Sequence, residues 1–169
     1  MKNWIKTLNE MKACGNALKW CNGYESLAEA WAVCQRGDWM LWLLGKLSGK
    51  PESDSHKKLV LIACKCARLS LPYVKEGELR PLRAIEVTEA WARGDKGIRR
   101  EDVRKAAHAA YDAAYAAHAA YAAAYAAYDA AHAAYAAADA ADTSRRSTLE
   151  KCADIVRGYY PVAPKLKKK

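Results

Sequence analysis

From Ala106 to Ala141 the chain carries 24 alanines in 36 residues, and the remainder are Tyr, His and Asp. Alanine is the best helix former, so this run commits the region to α-helix. The larger side chains arrive every three or four positions, at His108, Tyr111, Asp112, Tyr115, His118, Tyr121, Tyr125, Tyr128, Asp129, His132, Tyr135 and Asp139. That repeat falls slightly short of 3.6, so on a straight helix the stripe winds around the axis by about half a turn. An unbroken helix of roughly 40 residues would be about 60 Å long, against a width of roughly 40 Å for a domain of this size. The sequence therefore predicts a break or sharp bend inside the run, with no Gly or Pro to mark it. Alanine lets neighbouring helices approach closely, and tyrosine rings fill the gaps while their hydroxyls reach polar partners. The same stripe could instead form a polar aromatic wall, which makes Tyr121, Tyr125, Tyr128, His118 and His132 candidate binding residues.

Helical punctuation continues outside the run. Trp4, Ile5, Leu8 and Met11 recur at helical spacing, and that helix is expected to fail at Gly15. Ser26 with Glu29 forms a capping box that opens a helix at Leu27. Gly37 is expected to end it, and Asp38 to cap the next helix from Trp39. The segment Trp39-Met40-Leu41-Trp42-Leu43-Leu44 is apolar on nearly every side, which predicts burial between other helices. Gly49-Lys50-Pro51 reads as a turn, and Ser53 to Ser55 offer caps for a helix to about Leu71. Pro81 suits a first helical position, Gly94 closes that helix, and Gly158 closes a last one through Leu149, Cys152 and Val156. No two-residue alternation occurs. The expected fold is all-α: one compact multi-helix domain over residues 1–160, with residues 101–142 as a long alanine-rich helix or helical hairpin. Residues 161–169 are expected to form a flexible basic tail.

Charge and cysteine narrow the function classes. The net charge of +9 is uneven: the alanine-rich region is acidic, whereas Arg145 to Lys169 is basic. A basic tail attracts acidic surfaces without sequence preference. No recognition motif accompanies it, so nucleic acid is not the expected partner and a basic nucleic-acid-binding module stands only as an alternative reading. No apolar run reaches the length of a membrane helix or a signal peptide, and the expectation is a soluble, cytoplasmic protein. Six cysteines in such a chain should be reduced. Cys64 and Cys66 lie two residues apart on a predicted helix and point to different sides, so they do not form a metal pair.

No phosphate loop, dinucleotide fingerprint, nucleophile elbow or zinc-protease motif is present, and no catalytic residue, cofactor or metal site is predicted. Trp31, Trp39, Trp42 and Trp91 are expected to be structural, with Asp38 as a cap. Arg68, Arg93 and Arg157 each follow an apolar helical run and could reach inward. With Tyr or Trp to stack a base they would suit a small-molecule sponge for a nucleotide signal.

The string Glu29-Ala30-Trp31-Ala32-Val33-Cys34-Gln35-Arg36-Gly37-Asp38-Trp39, continuing to Leu44, resembles small immunity proteins of the Imm5 type. Cys64-Lys65-Cys66-Ala67-Arg68, Ala90-Trp91-Ala92-Arg93-Gly94, the alanine run and Ala153-Asp154-Ile155-Val156-Arg157 are similar as well. The resemblance extends over nearly the whole chain, with Gly-Asp-Trp-x-x-Trp its most specific part. Similar proteins occur in bacterial polymorphic-toxin loci and in phage genomes. The resemblance implies a non-enzymatic inhibitor that binds a protein toxin or a host defence effector.

Overall fold

Local chemistry sets most helix ends in the computed structural model, which describes residues 2–50, 53–112 and 131–166, with side chains omitted over 131–142. The helices are α1 (Asn3–Glu10), α2 (Gly15–Cys21), α3 (Leu27–Val33), α4 (Gly37–Leu47), α5 (Asp54–Arg68) and α6 (Arg80–Arg93). Residues 100–112 are helical (α7), and α8 spans Ala131–Tyr159. A single 3₁₀ turn, Leu71–Tyr73, follows α5. Among the described residues there is no strand, and the fold is all-α. Whether the alanine-rich run breaks is a question for residues 113–130, which lie outside the described residues. Its last part is continuous with the C-terminal helix, since α8 runs unbroken through Thr143 and Ser144.

Ser26 accepts the Glu29 amide at 3.1 Å, while the Glu29 carboxylate reaches back to the Glu25 amide at 2.8 Å. Ser53 caps α5 by accepting the His56 amide, and Gly94 ends α6 at φ +83°. Three expected ends differ. The first helix stops at Lys12 rather than Gly15, because Lys12 adopts φ +68°. There the Ala13 amide donates to Leu8 O and the Lys12 amide to Asn9 O, the double bond of a Schellman turn with Lys in glycine's place. Gly15 instead opens α2, a helix the sequence pattern does not announce. Gly37 does not end α3; it is the first residue of α4 and buried. Asp38 is not the cap of α4, whose flanking residue is Arg36, with no side-chain cap. The helix starts two residues early, so the Asp38 carboxylate lies in its first turn and receives both Arg36 nitrogens at 2.8 and 2.6 Å.

Contacts cluster in two units, residues 1–62 with 148–169, and residues 63–147. In the first, Ile5, Met40, Ile62 and Val156 are almost fully buried, joined by Leu8, Trp31, Leu43, Leu44, Leu59 and Ala153. α4 meets α8 closely at Gly37, where a side chain would overlap Cys152. Residues 161–166, expected as a free tail, lie against this core through Ala163 and Leu166. In the second unit Cys64, Cys66, Ile85 and Ala92 are buried, and Arg68 on α5 grips Glu89 on α6 with bonds of 2.9 and 2.7 Å. Asp102 reaches back to the Arg99 amide at 2.9 Å and so secures the start of α7.

Candidate functional site

The turn at Lys12 sends the chain back on itself, and α1 to α4 close around an apolar pocket of about 50 Å³ in the first unit. α1 supplies Leu8, and α2 supplies Ala17, Trp20 and Cys21. α3 adds Leu27, Ala30 and Trp31, and α4 adds Trp39, Met40, Trp42 and Leu43. Trp20 stacks obliquely on Tyr24, just beyond the end of α2, at 4.5 Å between centroids, and meets Trp39 at 5.8 Å. Trp31 is buried, and its indole N–H donates to Tyr160 O at 2.9 Å, which fixes the ring. Trp39 and Trp42 are only half-buried, so the expected fully enclosed helix presents part of both indoles to solvent. On α4 Met40, Leu43 and Leu44 are buried, and Met40 and Leu43 line the pocket together with the half-buried Trp39 and Trp42.

Cations lie on these half-buried indoles. The Arg36 guanidinium sits 4.2 Å from the Trp39 ring centroid, and the Lys46 ammonium 5.7 Å from that of Trp42. Burial raises the Asp38 carboxyl, but the hydrogen bonds and charge of Arg36, with nearby amides, outweigh it and hold the group below the usual carboxylate range. Burial pushes the Cys21 thiol up to about 11, with Cys34 close by adding to the shift, and burial raises Cys34 as well. These thiols are apolar wall rather than nucleophiles. Apolar walls, indole rings and cations over two of those rings are suited to binding.

The other candidate residues are placed apart from it. Tyr121, Tyr125, Tyr128 and His118 lie outside the described residues; His132 is on α8, its side chain likewise outside them. Arg68 and Arg93 belong to the second unit, where they pair with Glu89 and Asp95. Arg157 does reach inward, to Cys34 O at 2.5 Å, while its other nitrogen holds Asp154 at 2.6 Å. Each guanidinium is thus engaged by a carboxylate of the protein itself. Trp91 is half-buried on α6. Ser48 Oγ lies 3.3 Å from His56 Nδ1, yet Ser48 is buried and donates to Gly45 O, and its carbonyl accepts from Ser53 and Ser55. That network joins the end of α4 to the start of α5. Among the described residues no group of His, Cys, Asp and Glu could hold a metal ion, and no helix is long and apolar enough to cross a membrane. Arg36, Lys46 and Tyr160 complete the pocket region, and no sequence pattern marks them as site residues.

The family model of Imm5_like, described as Imm-5 like putative immunity protein, matches residues 49–155, more than half of the chain. The chain belongs to this family. The Imm5-like match runs from the turn before α5 into α8, and so begins after the Gly-Asp-Trp-x-x-Trp block that carried most of the sequence resemblance. The pocket residues, from Leu8 to Leu43, also precede the Imm5-like span. No curated protein and no solved structure matches the chain.

Proposed function

We propose that this Imm5-like protein is an immunity protein that works by stoichiometric, non-enzymatic binding: in the cytoplasm it occupies and neutralises a protein toxin or a host defence effector. Family membership is the observation that carries this reading. The pocket supports it, because half-buried Trp and Tyr beside a dry centre are what protein interfaces use as anchors. A nucleotide sponge has less support, since Arg68, Arg93 and Arg157 are already held by Glu89, Asp95 and Asp154.

The test is co-expression with toxins encoded beside the gene, followed by titration of the purified pair. Rescue of growth, a co-purifying complex and inhibition that saturates at one-to-one stoichiometry are expected. Inactivation of the toxin by a small fraction of an equivalent would mean turnover and would refute the binding mechanism. Stabilisation by nucleotides in a thermal-shift screen, with no toxin bound, would favour the sponge.

A further inference from the structure

We propose that the pocket of the first unit seats an aliphatic side chain presented by an acidic surface of the partner protein; the inference deepens the immunity reading and rests on it. Size selects the side chain. The pocket measures about 50 Å³. A cavity of ~150 Å³ admits benzene, and one water takes up ~30 Å³ of liquid. The branched end of Leu, Ile or Val, or the tip of Met, matches the smaller volume better than an aromatic ring does. Water is a poor occupant, because the walls offer none of the ~2–4 polar partners a buried water needs.

Charge selects the surface around that side chain. Residues 1–47, which build the pocket, hold 6 Lys and Arg against 4 Asp and Glu, a net +2. Arg36 and Lys46 lie over Trp39 and Trp42 of the pocket wall. Lys12 and Lys19 are exposed, and the residues that follow them, Ala13 and Trp20, line the pocket. Arg36 is matched by Asp38, so the nearby cations that remain are Lys12, Lys19 and Lys46. A partner surface rich in Asp and Glu meets these cations, and the attraction speeds encounter as well as fixing orientation.

A displayed library of random dodecapeptides, selected on the full-length protein and on Ala17→Met and Lys46→Glu variants, tests this. Ala17 is half-buried on α2 and lines the pocket, so methionine there fills the space from within. A retained melting temperature verifies that the fold survives. Enrichment of peptides with one Leu, Ile, Val or Met among Asp and Glu is expected. Their affinity should fall at least about tenfold in each variant, a hot-spot-sized loss, and weaken with added salt. Enrichment of basic or aromatic peptides, no enrichment, or affinity indifferent to Ala17→Met overturns the proposal. So does self-association of the wild type that Ala17→Met abolishes, since a second copy would then be the occupant. A toxin neutralised equally well by Ala17→Met removes the pocket and leaves the immunity function standing. Acidic peptides seated on the pocket with no toxin neutralised would remove the immunity reading instead.

Discussion

Gly37→Ala should be the most sterically damaging of the Gly→Ala changes in this protein. A Cβ built there overlaps the Cβ of Cys152 and lies 2.7 Å from Ala153 N and 2.8 Å from Cys152 C. All three atoms belong to the α8 backbone or its first side-chain carbon, so no rotamer change relieves them. Either α4 or α8 must move, in a region where Ala153 and Val156 are fully buried. Overpacking of this kind costs ~1–3 kcal/mol, and here the upper end applies because the neighbours cannot yield. Loss of glycine's freedom in the unfolded chain returns about 0.4–1 kcal/mol. The net loss should be about 2 kcal/mol, or a melting temperature about 4–8 °C lower for a chain of this length. Gly158→Ala is the control: it lies on the same helix α8 with no atom within 4 Å of the added methyl. It should leave stability unchanged or raise it by up to about 1 kcal/mol. Urea unfolding followed by circular dichroism and indole fluorescence measures both. Equal midpoints for Gly37→Ala and wild type would show that the α4–α8 approach does not require glycine.

Trp31→Ala should cost ~3–5 kcal/mol, because the indole is 3% exposed and loses its bond to Tyr160 O. The half-buried Trp42→Ala should cost less, about 1–2 kcal/mol, and Asp38→Ala no more than about 1 kcal/mol, since it breaks an exposed pair rather than a cap. Chemical denaturation ranks the three, and an Asp38 loss equal to that of Trp31 would contradict the assignment. Brief alkylation of the native protein at pH 8 should label Cys14, which is exposed, and spare Cys21 and Cys64, whose thiols burial pushes up to about 11. Mass spectrometry reads the site, and fast labelling of Cys21 would show the pocket wall to be open. Glu89 is held below the ordinary glutamate value of 4.5 by the hydrogen bonds from Arg68, which outweigh burial. Its depressed folded value means that the pair stabilises above the unfolded value and that this contribution fades as pH falls through the folded one. Glu89→Gln should therefore lose up to about 1 kcal/mol at pH 7, a partly exposed pair being screened, with the gap closing in acid. A gap that persists there would point to packing rather than charge.

Where a feature depends on a few adjacent residues, sequence was enough. Ser26 with Glu29, Ser53 before α5 and Gly94 after α6 each act within four positions, so their roles could be read directly. Gly37 shows why other features could not. Glycine serves either a left-handed backbone or a missing side chain, and the second use depends on Cys152 and Ala153, more than a hundred residues away. The helix of Trp39 to Leu44 looked apolar all round because the pattern does not distinguish a core from a pocket wall; both want indoles and leucines. Lys12 carries no mark of a left-handed turn, and without that turn the start of α2 at Gly15 is not legible. Trp31 was expected as core and is core, but its acceptor, Tyr160 O, comes from the far segment.

That last contact makes the order of synthesis matter. The first unit is discontinuous: its two segments are separated by residues 63–147, and the bond from Trp31 to Tyr160 joins positions 129 apart. At ~5–20 residues per second, roughly 5–20 s of translation separate the emergence of α5 from that of Val156. Throughout that interval Ile5, Met40 and Ile62 lack the α8 residues that cover them. Residues 63–147, contiguous in the chain, are under no such delay. The nascent N-terminal helices are therefore natural clients for ribosome-bound chaperones. A newly induced copy acquires its finished Trp31 wall only after the ribosome has passed Tyr160, so any protection that uses this pocket lags the start of translation.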